Sequence, residues 1–256
     1  MRIHCGKSLV LWMVASLTLP ALAQAARSLS LADIVSRMHT AESAEQNRPS
    51  YSLLRQYRLS GADPNVTTSE VLAEVDYVPP SRKEFSIRKA EGSERGEKVV
   101  RRILEHEANM AKGSVNSDFC ADNYDFALLG QEMLNGKPAY VLQLTPKHDA
   151  VELIRGKAWV DAESFLVVRA EGTPAKNPSW WIKDLKIVIN YGRADGVWLA
   201  LATRATADLR LVGTHTLTSK DLEVHAATEN VKLSPPRRNR VRHSNDSALE
   251  AVWISR

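Results

Sequence analysis

Cysteine is almost missing from this sequence, which has only Cys5 and Cys120 among 256 residues. That excludes a disulfide framework, and a domain without bridges has to bury a core large enough to hold itself together. Long apolar runs are scarce too. The longest, Leu9 to Leu22, is shorter than the roughly 20 residues of a membrane-spanning helix, and no later segment approaches it. Catalytic signatures are also lacking: there is no Gly-x-Ser-x-Gly elbow, no phosphate-binding loop and no dinucleotide fingerprint. His106-Glu107 begins like a zinc-protease helix, but Met110 stands where the second histidine is needed, so two imidazoles cannot converge on one ion. His39, His148, His215, His225 and His243 are scattered without ligand spacing. No metal and no cofactor is expected. A pair working as acid and base among the plentiful carboxylates is the enzymatic reading that remains open.

What is present starts with Arg2 and Lys7 ahead of the apolar run, which ends in small residues. A charged n-region, a short apolar region and an Ala-x-Ala site at Ala21 and Ala23 make residues 1–23 a cleaved signal peptide, with Ala23 and Ala25 as a second site. Cys5 precedes the apolar run and is no lipobox cysteine, and no Arg-Arg pair points to twin-arginine export. The expected product is exported and soluble. Once Cys5 is removed only Cys120 is left, read as a small buried hydrophobe. The formal charge of +4 falls to +2 without Arg2 and Lys7, and it is unevenly spread. Residues 232–256 hold six basic residues against Asp246 and Glu250, so residues 24–231 are close to neutral. The stretch Pro235 to His243 has too few apolar residues to pack. It reads as a basic flexible tail, drawn either to anionic headgroups or an acidic partner, or simply solvated; nucleic acid is not expected.

Between signal and tail, residues 24–231 read as one domain. Ser30 with Asp33 three residues on, then Leu31, Ile34, Val35 and Met38, predicts an amphipathic helix. Val99, Val100, Ile103 and Leu104 form the apolar face of a second helix over about 93–112. Most of the rest alternates with period two, in strands expected at 51–59, 70–78, 83–89, 124–130, 139–145, 155–161, 165–171, 183–191, 197–205, 208–213 and 216–224. Asn135-Gly136, Asp161 to Ser164 and Asp195-Gly196 are short turns between them, so strands adjacent in sequence should pair antiparallel. The expected fold is mostly β (α+β): a large curved antiparallel sheet forming an incomplete barrel, covered by about two helices acting as plug or lid. Such a sheet either keeps an apolar cavity or is filled completely by its helices, and periodicity leaves both open.

The residues Tyr124 to Glu132, Asn135 to Lys147, Gly156 to Asp161 and Asp195 to Leu199, with the order export signal, helix, three strands, helix and meander, resemble the LolA-like periplasmic lipoprotein-carrier superfamily, which includes LolB and RseB. The resemblance implies a half-barrel with a helical lid over a cavity for acyl chains, and no catalysis. It implies a periplasmic monomer, peripheral to membranes at most, carrying lipid or lipoprotein acyl chains toward the outer membrane. An inner-membrane transporter or outer-membrane receptor would be its partner. A stress sensor of the RseB type is the alternative. The expected cavity residues are Tyr57, Val75, Tyr77, Phe85, Ile87, Phe126, Leu128, Tyr140, Leu142, Trp159, Leu185, Ile187, Ile189 and Trp198. Trp180 and Trp181 are expected as a surface contact. One departure concerns the lid: the carriers hold it with the arginine of an Arg-Pro pair before the third strand, whereas here Arg82 follows Pro79-Pro80-Ser81. The processed chain is expected to begin near Gln24 or Ala26 and to be found free in periplasmic extract; an uncleaved or lipidated intact mass would contradict this.

Overall fold

The computed structural model describes residues 29–112 and 118–227; the expected signal peptide 1–23 and basic tail 232–256 lie outside the described residues. Helix α1 (Leu31–Glu45) starts at a capping box. The Ser30 hydroxyl accepts from the Asp33 N–H at 3.1 Å, and the Asp33 carboxylate accepts from the Ser30 N–H at 3.3 Å. Its apolar stripe buries Ile34 and Met38 completely. Strands β1 (Tyr51–Ser60), β2 (Thr67–Val78) and β3 (Arg82–Gly92) follow, then α2 (Glu94–Lys112), which buries Val100, Leu104 and Ala108 at helical spacing. A meander completes the domain: β4 (Tyr124–Leu134), β5 (Lys137–Pro146), β6 (Ile154–Asp161), β7 (Val167–Pro174), β8 (Ile182–Ala194), β9 (Val197–Leu209) and β10 (Gly213–Ala226).

All ten strands form one sheet, in the order β3-β2-β1-β10-β9-β8-β7-β6-β5-β4, with every neighbouring pair antiparallel. Only β1 and β10 are neighbours without being consecutive among the strands. The sheet stays open, with β3 and β4 as its edges. The mostly β, incomplete-barrel architecture with two helices is the one the LolA-like resemblance implies.

Ten strands form where eleven are expected. Residues 208–213 make no strand of their own: Asp208 and Leu209 finish β9, and Arg210 to Val212 turn into β10. The apolar alternation runs through that turn although Leu211 is 73% exposed, so period two misleads there. Strand β7 starts at Val167 rather than Phe165, which takes a positive φ of 59° in the preceding turn and stacks on Tyr140 beneath the Arg37 guanidinium. Asn135-Gly136 and Asp195-Gly196 have positive φ at both residues, as two-residue hairpins require.

Both helices lie on one face. Strand register aligns Tyr57, Val71, Leu217, Ala205, Ile187, Gly172, Gly156 and Leu144 along the same side. There α1 packs on the β4–β8 half and α2 on the β1–β3 half. Bulges interrupt six of the nine strand pairings and bend the sheet around this inner face. Gly156 of β6 and Gly172 of β7 pair directly across from each other. A Cβ on either would fall 2.0 to 2.2 Å from a partner-strand carbonyl oxygen.

Near the C-terminal end of α1, Glu42 is largely buried beside Asp118. Burial first, then the Asp118 charge, pushes its carboxyl up to about 8 from an ordinary 4.5. A raised carboxyl favours the folded state below its unfolded value and loses that contribution as pH rises through about 8. Melting temperature should therefore fall between about pH 5 and pH 9, and Glu42→Gln should flatten the slope and melt above wild type at the alkaline end. Melts followed by circular dichroism check this; parallel curves for the two proteins would contradict it.

Candidate functional site

The inner face carries charge as well as apolar side chains. In β1 the inward positions run Tyr51, Leu53, Arg55, Tyr57, so a guanidinium sits in the middle of an apolar stripe. Arg55 donates Nε to Asp221 Oδ1 at 2.5 Å and Nη2 to Asp221 Oδ2 at 3.1 Å, a bidentate pair with the neighbouring β10. Asp221 is 1% exposed at its side chain. Arg55 Nη1 also reaches Glu107 of α2 at 3.4 Å, and Lys83 of β3 donates Nζ to Glu107 Oε2 at 2.5 Å. Two cations and two carboxylates thus balance, and they tie α2 to β1, β3 and β10. Burial alone would raise Glu107, but Lys83 and Arg55 outweigh it and hold the carboxyl below its ordinary value. Beside them the buried Tyr57 hydroxyl has no hydrogen-bond partner, and burial pushes it up.

The other end of α2 is held by contact. Gly96 lies against β2 so closely that a Cβ there would fall 2.2 Å from Ser69 Oγ. The Ser69 and Ser93 hydroxyls hydrogen-bond at 2.8 Å at this junction. Around this N-terminal turn of α2, with Gly96 itself in the lining, lies a cleft of about 340 Å³, at the low end of the roughly 300–1,000 Å³ range of small-molecule sites. Its walls are apolar: Leu59, Val99, Leu209, Val212 and Leu217. Ser60, Thr68, Ser93, Arg95, His215 and Thr216 supply polar groups around them. Such a lining fits an apolar chain with a polar or anionic head. Among the described residues, no group of three or more His, Cys, Asp or Glu could hold a metal, and no helix is long and apolar enough to cross a membrane.

The expected cavity residues divide into five sets. Tyr57, Val75, Tyr77, Phe85 and Ile87 pack in the cluster under α2. Phe126, Tyr140, Leu142 and Ile189 belong to the cluster under α1. Leu185 and Ile187 form part of a smaller cluster with Ala205, Ala207 and Leu209. Leu128 shares the inner side with Leu142 but lies exposed on edge strand β4. Trp159 and Trp198 are on the opposite face, which corrects the expectation. Trp159 pairs across from Val141, sits under the Arg169 guanidinium and donates Nε1 to Glu132. Trp198 pairs across from Arg193, whose guanidinium covers its ring. Each tryptophan is one residue out of phase with its inward neighbours, Ala158 and Val197. None of the fourteen lines the cleft; Leu59, Leu209 and Leu217, which do, sit on strand-end alternation that gave them no distinction from ordinary core. Arg82 is exposed, 3.9 Å from Glu84, and the lid contact belongs to its neighbour Lys83. Trp180 and Trp181 lie in the connection before β8 with ring centroids 4.0 Å apart; Trp180 is exposed and Trp181 half-buried. Cys120 is buried and free.

A family model for an uncharacterized protein matches residues 96–228, more than half of the chain. The chain belongs to that family. The match runs from the start of α2 to the end of β10 and so includes Glu107, Asp221 and most of the cleft. No curated protein matches. Among solved structures, the chain is similar to an outer membrane lipoprotein-sorting protein domain from Vibrio parahaemolyticus at 12% identity, covering 77% of this chain and 94% of that one, with a TM-score of 0.45. A DUF1329 family protein from Desulfovibrio piger is 17% identical, with 79% and 92% covered and a TM-score of 0.42. A LolA superfamily protein from Nitrosomonas europaea is 13% identical, with 78% and 95% covered and a TM-score of 0.37. These are likenesses of outline, and no residue role passes from them to this family member.

The charge network makes a measurable prediction. Arg55→Ala strands Asp221 without its partner and should destabilise the domain by about 3–5 kcal/mol, as broken buried pairs do. Adding Asp221→Ala should recover part of that loss. Urea denaturation of the two single variants and the double variant tests this; strictly additive effects would mean the pair does not act as a unit.

Proposed function

We propose that this protein is an exported, non-enzymatic carrier that shelters an acyl chain of a lipid or lipoprotein in the cleft between α2 and the inner face of the sheet, and moves it through the periplasm toward the outer membrane. The observation that carries this reading is the cleft itself: five aliphatic side chains from β1, α2, β9, β10 and the β9–β10 turn form its walls, and the polar groups gather around Arg95, His215 and the hydroxyls. An acyl chain placed there gains about 25 cal/mol for each Å² of apolar surface withdrawn from water. The sequence resemblance to LolA-like carriers points the same way. Release follows from the lid: α2 is anchored at its far end by Glu107 and at its near end by the Gly96 contact, so loosening either anchor widens the cleft.

Val99 is half-buried on α2 and faces the cleft, so a charge there should leave the fold intact. Val99→Glu should bind a fluorescent fatty acid about tenfold or more weakly than wild type, with an unchanged circular dichroism spectrum, since a carboxylate in an apolar wall must be desolvated or keep water in. Tight probe binding by wild type and its loss in the variant support the carrier. Equal binding by both, or none by wild type, overturns it.

A further inference from the structure

Half of the large apolar side chains that stand exposed among the described residues gather at one end of the sheet. Three neighbouring connections supply them: Val66 (57% exposed) ends the β1–β2 loop, Leu211 (73%) and Val212 (52%) form the β9–β10 turn, and Trp180 (68%) lies in the β7–β8 connection. Strand order makes these loops adjacent, since β1 pairs β10, β10 pairs β9 and β9 pairs β8. They are also held in place. The Arg210 N–H donates to Trp181 O at 3.0 Å and Arg210 Nε to Trp180 O at 2.8 Å, fastening the tryptophan loop to the turn that carries Leu211. Asn177 Nδ2 donates to Ile182 O at 2.6 Å and stiffens the same loop. The exposure is thus built into the loop geometry, and each such residue carries an unfavourable contact with water that an isolated protein gains nothing from.

The cleft opens at this end, because Val212 both lines it and belongs to the exposed turn. At the opposite end the hairpin tips read Asn135-Gly136, Asp195-Gly196 and Asp161 to Ser164, where Phe165 is half-buried and Met133, beside the first tip, is the one large apolar side chain that stands exposed among the described residues. We propose that this rim is a membrane-docking surface: Leu211, Val212, Val66 and Trp180 enter the interface of a phospholipid bilayer and bring the cleft mouth to the lipid. The occupant is argued from the form of the patch. Separate apolar tips on three loops, with polar groups between them, do not make the continuous surface a folded partner would match, but a fluid interface closes around each tip. Trp180 adds an amphipathic ring of the kind that settles at headgroup depth. The exposed guanidiniums of Arg95 and Arg210 stand beside the tips and are suited to phosphate groups.

This inference rests on the carrier reading for its purpose but is tested separately from it. Trp180→Ser with Leu211→Glu alters two exposed side chains that do not line the cleft, so folding and probe binding in solution should be those of wild type. The experiment is co-sedimentation of the full processed chain with phosphatidylcholine vesicles, with and without phosphatidylglycerol, beside fatty-acid probe binding in vesicle-free buffer. Wild type should sediment with both vesicle types, with a blue shift of tryptophan emission that Trp180→Phe abolishes. The double variant should sediment about tenfold less, as expected when two interfacial apolar anchors are lost, and still bind the probe. Wild type that stays in the supernatant overturns the docking surface. So does a double variant that sediments like wild type, or sedimentation that needs phosphatidylglycerol and ignores the substitutions, which would assign binding to the basic tail. Loss of probe binding by wild type with vesicle binding intact would instead remove the carrier reading and leave the docking surface standing.

Discussion

A ten-stranded antiparallel sheet that stays open has one long apolar face, and among the described residues two helices cover it. Coverage therefore sets the rest of the structure. α1 closes the β4–β8 half with Ile34 and Met38, and α2 closes the β1–β3 half with Val100 and Leu104. Bulges curl the sheet so that the two halves approach the helices from both sides. Where coverage ends, at the N-terminal turn of α2, the inner face opens into the cleft.

The polar contacts make sense within that constraint. Buried ion pairs are weak sources of net stability but are strongly directional, because leaving one member unpaired is unfavourable. Arg55 is fixed by Asp221 from the neighbouring strand and presents its remaining nitrogen, Nη1, to Glu107, so α2 has a defined seat on an otherwise greasy surface. Lys83 completes the neutralisation from the edge strand. At the opposite end of α2 the fixing element is steric, a glycine pressed on Ser69. A helix held by one charged contact and one close contact, with a cleft under its free side, has the mechanics of a lid.

Much of this fold was legible from residue patterns, and the misses have physical causes. The Ser30 capping box, the hairpin dipeptides and ten of the eleven period-two strands act locally and formed as expected, the exception being 208–213, where the alternation runs through a turn. The register of individual side chains did not follow so directly. Trp159 and Trp198 are large and apolar enough to suggest a cavity, yet a single step along the strand turns each to the outer face, where an arginine stacks on it. The Arg55, Lys83, Glu107 and Asp221 network left a faint trace, an arginine interrupting the inward stripe of β1 and a glutamate one helical period beyond Leu104. Nothing in the sequence joined the four, since they are 24 to 166 residues apart in the pairs they form.

The sequence by itself determined the elements: which segments alternate with period two, which carry an amphipathic helical stripe, where hairpins turn, and that two cysteines cannot supply a disulfide framework. Those are properties of near neighbours and of backbone preference. Tertiary structure alone decided which side of the sheet became the inner face, that β1 pairs with β10, and that Leu209 and Leu217 meet Val99 of α2 around one cleft. It also decided that Val66, Trp180, Leu211 and Val212, separated by up to 146 positions in the chain, share one rim. Such placements depend on pairing over long separations, where the relative curvature of sheet and helix, rather than any local residue preference, fixes what is covered and what is left open.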